Sequence, residues 1–277
     1  MEIFKYYDEN GLLALRELQL KVTPPNEFND PFETSPLVRT SDPKALAVSM
    51  AKKFLTEPKQ FERHRSWFPH CKSFRDFQKH GRANMGKMIA IFEANVRRFD
   101  RETEQEMLEF ISAKYGVVCF TSDPVQPLMW AHYGASHKGM VIGYEATDPL
   151  FTKSSFLRVD YEHERAVHDP LKSPNQDDVE IFVRRKSWDW RYEKESRLVL
   201  HLAQTIRRHI GGRICYFRPI RPSSITSVTF GLRAGAALKK EIWELLRKPE
   251  FSHITAWKIV QNDVMFEFGR LKAEFGR

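Results

Sequence analysis

The sequence predicts an α+β fold: a curved, mainly antiparallel β-sheet, whole or split, with flanking helices and a helical insertion. Three observations carry this. Short apolar segments of strand character lie at the start and recur through the second half of the chain. Between Asp42 and about Ala113 that character vanishes, and apolar residues recur at helical spacing: Met88, Ile89, Phe92, Val96 and Phe99, then Met107, Phe110 and Ile111. No internal repeat or low-complexity tract divides the 277 residues. One domain over residues 1–277, with 42–113 inserted as helices, is the expected organisation.

The elements follow in order. Ile3 to Tyr7 is expected as a strand, and Asn10 to Leu20 as a helix with Leu12, Leu13, Leu15 and Leu18 on its apolar side. Val22 to Glu33 is a loop rich in proline and asparagine. In the insertion, His64, His70 and His80 lie among arginines and lysines without metal-ligand spacing, so surface positions are expected. Strands are expected over Gly116 to Thr121 and Gly139 to Tyr144, with a short glycine-ended helix, Leu128 to Gly134, between them. Leu157 to Tyr161 and Ser196 to Leu202 continue the sheet. Ile225 to Phe230 is a strand, Ala236 to Arg247 a helix, and Ile254 to Phe268 two strands broken at Asn262-Asp263.

Composition bounds the partners. The net charge of +8 favours nucleotides, nucleic acid or other anions, but it is spread along the chain. Arg207, Arg208, Arg213, Arg218 and Arg221 form the most basic stretch, either a solvated surface or a nucleic-acid contact. Cys71, Cys119 and Cys215 are odd in number and widely spaced, which fits a reducing cytoplasm and speaks against a disulfide framework or structural zinc. No basic leader precedes an apolar run at the N-terminus, and no stretch approaches about 18 uninterrupted apolar residues, so a cytoplasmic protein with no membrane partner is expected.

The richest stretch is Trp188 to Leu200, where aromatic residues and Glu193-x-Glu195-x-Arg197 open an apolar run. In an extended chain Glu193, Glu195 and Arg197 share one side, and Tyr192 and Lys194 the other. Trp188 and Trp190 then share a face as well. Charges at the mouth of a buried strand are costly unless they pair or act on a ligand. Simple pairing of Glu195 with Arg197 at a strand edge is an equal alternative. Asn29-Asp30-Pro31 suits turn chemistry, although the loop can also bring Asp30 and Glu33 to the strand ends, with Phe28 and Phe32 anchoring it. Trp130, His132 and Tyr133 are either core or a stacking clamp for a flat ring, with His132 the most functional of the three. Lys138 meets a phosphate or is solvated. Gly231 to Gly235 is a weak anion cradle between a strand and a helix.

Four of these pieces resemble, in this order, an uncharacterised, mostly bacterial family known as domain of unknown function 2971. They are Lys5-Tyr6; Phe28-Asn29-Asp30-Pro31-Phe32-Glu33; Cys119-Phe120-Thr121-Ser122 with Met129-Trp130-Ala131-His132-Tyr133 and His137-Lys138-Gly139; and Trp190-x-Tyr192-Glu193-x-Glu195-x-Arg197. The resemblance spans about residues 4 to 260. The chain also resembles mono-ADP-ribosyltransferases of the arginine-serine-glutamate class. These have a basic residue on an early strand, a strand ending in Ser-Thr-Ser, and a later Glu-x-Glu or Gln-x-Glu opening an apolar strand; here Lys5, Phe120-Thr121-Ser122 and Glu193-x-Glu195 stand in that order.

That second resemblance implies an enzyme acting on a nucleotide-like substrate, with NAD as co-substrate, no metal, and a protein or nucleic-acid acceptor, as in toxins or defence effectors. Glu195 would stabilise oxocarbenium character as the nicotinamide–ribose bond breaks, and Thr121 or Ser122 would orient it. Glu193 would take the acceptor's proton. Lys5, Tyr6, Asp30, Trp130, His132, Tyr133, Lys138 and Arg197 would line or support the pocket. The departure is Lys5, which lacks the bidentate fork of the class's arginine. In this role Glu195→Gln should leave folding nearly intact and lower activity by about a hundredfold or more. Two other classes fit the residues: a magnesium-dependent nuclease or phosphodiesterase using Asp30, Glu33, Glu193 and Glu195, and a non-enzymatic module that binds nucleic acid or protein.

Overall fold

The computed structural model describes residues 2–8, 10–151, 156–172 and 176–274. The chain opens with β1 (Glu2–Tyr7), α1 (Gly11–Glu17), β2 (Gln19–Val22) and β3 (Leu37–Val38). Five helices follow: α2 (Pro43–Thr56), α3 (Pro58–Arg63), α4 (Phe74–Ala83), α5 (Met85–Ala94) and α6 (Val96–Lys114). Then come β4 (Tyr115–Thr121), α7 (Pro127–His132), β5 (Met140–Glu145), β6 (Phe156–Arg158), β7 (Asp160–Glu162), β8 (Val167–His168), α8 (Gln176–Arg184) and β9 (Arg185–Ser187). The last part holds β10 (Glu195–His201), β11 (Ile206–Ile210), β12 (Arg213–Pro219), β13 (Ile225–Phe230), α9 (Ala236–Leu246), β14 (Thr255–Gln261) and β15 (Phe268–Lys272). The fold is α+β with mostly antiparallel sheets.

Contacts divide the chain into two compact units, one of Met1–Thr34, Ile111–Glu164 and Arg184–Arg277, the other of Ser35–Phe110 and Arg165–Val183. The first holds an eight-stranded sheet in the order β15-β14-β13-β5-β1-β4-β10-β6. Within it only β13 and β14 run parallel. Val118, Ile142 and Leu198, from three of its strands, are fully buried in one core with Leu15, Leu20 and Val22. Phe4, Tyr6, Trp130 and Val141 form a second cluster.

The pairing is uneven at the centre. β1 pairs with β5 along its whole length, from Glu2 to Tyr7, but meets β4 at a single position, Phe4 opposite Thr121. The sheet therefore splays between these two strands. Its neighbours are tight: a Cβ on Gly139 would overlap the carbonyl oxygen of Tyr7. Gly139→Ala is expected to cost about 1–3 kcal/mol, because backbone must move to admit one methyl. Thermal melting checks this, and an unchanged midpoint would refute the close approach.

The predicted helix to Leu20 stops at Glu17. Leu18 turns left-handed (φ 50°) and its amide returns to the carbonyl of Ala14. Gln19–Val22 then pairs with β12 instead, in a three-stranded sheet ordered β11-β12-β2. The basic stretch of the 200s is thus a hairpin, β11 with β12, turned at Gly211 and Gly212 (φ 57° and 76°). A two-residue turn with positive φ at both positions suits the twist of the strands and favours glycine. The expected strand from Leu157 to Tyr161 divides between β6 and β7, and β7 pairs with β9 outside the main sheet.

The second unit is helical over residues 43–56, 58–63, 74–83, 85–94 and 96–110, around a core of Phe54, Phe61, Phe77, Phe92 and Phe99. Phe54 and Phe92 meet edge to face at 4.7 Å. Asp42 caps α2 by accepting the amide of Ala45, and Ser73 caps α4 through the amide of Asp76. His64 departs from its expected surface position. It is buried among Phe54, Trp67 and Phe99, and burial lowers its pKa. The small parallel sheet of β3 and β8 completes this unit. Among the described residues no helix is long and apolar enough to cross a membrane.

Candidate functional site

The Glu-x-Glu-x-Arg stretch does not run fully extended. Trp188–Glu193 winds as 3-10 helix, Lys194 is left-handed (φ 45°), and the strand begins at Glu195. The expected alternation therefore fails for Glu193 and for the shared face of Trp188 and Trp190. Glu193 still reaches the same cluster, because a buried lysine gathers it. β9 delivers Lys186, whose ammonium donates to Glu193 Oε2 at 2.6 Å and Glu195 Oε2 at 2.9 Å, and lies 3.5 Å from Glu33 Oε1.

Arg197, with no exposed surface, grips Glu195 at two points: Nε to Oε1 at 2.8 Å and Nη2 to Oε2 at 3.1 Å. The same Nη2 donates to Glu33 Oε1. Its guanidinium lies 5.8 Å from the centre of the Phe28 ring. The Tyr133 hydroxyl donates to Glu193 Oε1 at 2.8 Å. The Glu195 amide donates to the Tyr161 hydroxyl at 2.7 Å. Simple pairing at a solvated strand edge does not describe this site, since Glu33, Glu193, Glu195, Lys186 and Arg197 are all buried.

Three carboxylates face two cations, and burial sorts their proton affinities. For Glu33 and Glu193 desolvation dominates and raises the pKa. For Glu195 burial acts in the same direction, but Arg197 and Lys186 outweigh it and hold the carboxyl well below its ordinary range. Burial opposes the charge of Lys186, yet Glu195, Glu33 and Glu193 together keep its pKa well above the usual value. Two carboxyls two residues apart are thus pushed in opposite directions, a pattern that divides acid–base roles in enzymes.

This cluster forms one wall of a cavity of about 460 Å³ where the sheet splays. Phe4, Lys5 and Tyr6 all reach it, which a fully paired strand with alternating faces would not allow. Thr121, His132, Tyr133, Glu193 and Glu195 line it as well. Thr121 and Glu195 are direct cross-strand partners. Desolvation by burial lowers the pKa of Lys5, whose ammonium donates to the Cys119 carbonyl at 3.4 Å. Tyr6 donates to the Asp123 carbonyl at 2.9 Å, and burial raises its pKa.

Other expected residues stand apart. Trp130 is wholly buried, its indole N–H bonded to the Pro124 carbonyl at 3.0 Å and its ring edge-on to Tyr6, so it is core and not a clamp. Asp30 accepts the Phe32 amide at 2.9 Å in a turn and does not line the cavity. Phe32, the expected anchor, is 62% exposed. Ser122 and Lys138 are exposed and lie outside the lining. Arg197 supports Glu195 from behind instead of meeting a ligand. The Thr121 oxygen accepts the Asp123 amide at 3.0 Å, and the orientation of Glu195 falls to Arg197 and Lys186.

Lys186 and Tyr161 escape a reading by sequence. Lys186 sits in Arg184-Arg185-Lys186, which has the composition of a solvated basic run. As a metal site the cluster is poor, because a divalent ion would have to displace Lys186 and Arg197 from the oxygens. In the second unit Cys71, Asp76 and His80 bring ligand atoms within 4.8 Å of one another, but Asp76 already accepts the Lys72 amide and pairs with His80.

Cys119, Thr121 and Lys5 thus reach one site with the Glu-x-Glu segment. Residues 129–198 match the model of a family described as protein of unknown function (DUF2971). The family read from the sequence is borne out there. The DUF2971 segment includes Tyr133, Lys186, Glu193, Glu195 and Arg197, and so most of the charged cluster. No curated protein and no solved structure matches the chain.

Proposed function

We propose that the cavity is a glycosyl-transfer site for a nucleotide-like substrate, with ADP-ribosyl transfer from NAD to a protein or nucleic-acid acceptor as its reaction. The observation that carries this reading is the pair Glu193 and Glu195 on one cavity wall, with proton affinities moved in opposite directions. Further support comes from the strands: β1 with Lys5, β4 with Thr121 and β10 with Glu195 are consecutive neighbours in the sheet. These are the pieces on which the transferase resemblance rests.

In this reaction the C–N bond between ribose and nicotinamide breaks, and its electron pair leaves with nicotinamide. The ionised Glu195 opposes the positive charge that develops on the ribose. A hydroxyl or amine of the acceptor attacks the ribose carbon, and Glu193 removes its proton. Tyr133 and Lys186 fix the Glu193 carboxyl from both sides. Lys5 serves as a point charge for phosphate. The magnesium-dependent alternative is less favoured, because Glu33, Glu193 and Glu195 are committed to Lys186 and Arg197 while Asp30 is committed to its turn.

The test is incubation of the protein with adenylate-labelled NAD and cell lysate or nucleic acid, following nicotinamide release and label transfer. Release with transfer is expected. Absence of both, across protein and nucleic-acid acceptors, overturns the reading.

A further inference from the structure

Two lysines of the cavity are unlike Lys186. Lys5 and Lys21 are near enough to repel one another, and among the described residues neither has a carboxylate within ion-pairing distance. Lys5 also feels the Glu195 carboxylate, but that charge is already gripped by Arg197 and Lys186, so an anion resting between the two lysines relieves their repulsion. The position of this pair is telling. A second cavity, of about 580 Å³, lies beside the first, and the two share Lys5, Tyr6, Lys21, Thr23 and Tyr133. The lysines therefore stand at the waist of a longer groove.

The far cavity is walled by α1 and by the β11–β12 hairpin. Leu13, Ala14, Ile210 and Phe217 give it apolar faces, while Asn10 and Gln19, whose amide groups donate to Asp8 and Glu17, present side-chain oxygens as acceptors. Arg208 lies 5.2 Å from the centre of the Phe217 ring and is held by Glu17 at 2.5 Å. Apolar walls, an aromatic ring and a few fixed polar groups suit a flat heteroaromatic base.

We propose that the two cavities form one bipartite groove for a dinucleotide: the diphosphate rests on Lys5 and Lys21, and the second nucleoside lies between α1 and the hairpin. The identity of the ligand's first half rests on the glycosyl-transfer reading above; the diphosphate site and the second subsite stand on the lysines and the shared waist. The proposal gives the arginine-rich hairpin a role in ligand binding that its composition alone does not assign.

Calorimetric titration with NAD, nicotinamide mononucleotide, ADP and inorganic diphosphate tests it, on wild type, Lys21→Gln and Ile210→Glu. Both positions are exposed, and matching melting curves confirm that the variants fold. Lys21→Gln is expected to weaken NAD, ADP and diphosphate by about tenfold or more, the scale of one lost contact to a charged group. Ile210→Glu is expected to weaken NAD and ADP while leaving diphosphate and nicotinamide mononucleotide unchanged. The proposal is overturned if wild type binds none of the phosphate-bearing ligands, if Lys21→Gln binds NAD as wild type does, or if Ile210→Glu leaves NAD and ADP unaffected. Failure of the transferase reading is distinct: NAD then still binds through Lys21, but nicotinamide is never released.

Discussion

Replacing Lys186 by methionine is expected to destabilise the first unit by about 3–5 kcal/mol, the usual cost of breaking a buried ionic cluster by removing one partner. Methionine roughly fills the volume of the stem, so lost packing is a minor part. The larger part is charge. Glu33, Glu193 and Glu195 would share Arg197 alone, and two buried carboxylates would lack compensation. The effect has a pH signature. Glu33 and Glu193 already have raised pKa values because of burial, and loss of Lys186 raises them further. A carboxyl with a raised folded-state pKa favours folding while protonated, and that contribution is lost as pH rises through the folded value. The deficit of Lys186→Met should therefore be small near pH 4.5 and widen towards pH 8. At neutral pH it corresponds to a melting-point drop of roughly 10 °C. Paired melts at the two pH values check it, and a variant melting within a degree or two of wild type at pH 8 would remove Lys186 from the cluster's support.

How much of this was legible in the sequence depends on the range of the interaction. Local periodicity places β1, β4, β5, β10 and β13 to within a residue or two, because alternating or continuous apolar runs bury themselves in any sheet. Gly211-Gly212 between two short runs is a hairpin signal of the same local kind, masked by the arginines around it. The end of α1 was not legible. Nothing in Asn10 to Leu20 announces that Gln19–Val22 pairs with β12, a strand nearly two hundred residues later. The site divides in the same way. Glu193, Glu195 and Arg197 announce themselves as charges opening an apolar strand. Lys186 does not, since its burial is decided by the pairing of β9 with β7 and by carboxylates from a loop, a turn and a strand. Trp130 misleads for the converse reason: an indole beside a histidine has the composition of a stacking surface, and only packing shows that it is enclosed.

Glu193→Gln is expected to separate chemistry from stability more cleanly than any change at Glu195. The amide keeps both contacts: its oxygen can accept from Lys186, and its NH2 can donate to the Tyr133 hydroxyl, which turns from donor to acceptor. The cluster then holds two carboxylates against two cations, so the stability change should stay within about 1 kcal/mol. Activity should fall by about a hundredfold or more, the scale of a lost general base. The pH profile adds a second criterion. Because burial raises the Glu193 pKa above its ordinary 4.5, wild-type turnover should rise with pH along a limb centred above that value, and the limb should vanish in the variant. Glu195→Gln is expected to destabilise the fold, unlike the sequence-based expectation of nearly intact folding. Its carboxylate is held ionised by Arg197 and Lys186, so its contribution is present above the unfolded pKa and lost only as pH falls through a depressed folded value. Neutralising it at pH 7 removes a doubly gripped partner at a cost of about 3–5 kcal/mol. Turnover and melting measured on one preparation of each variant decide the matter. If Glu193→Gln keeps wild-type turnover, or loses it only in step with its folded fraction, Glu193 is a structural acid and the proton must leave the acceptor by another route.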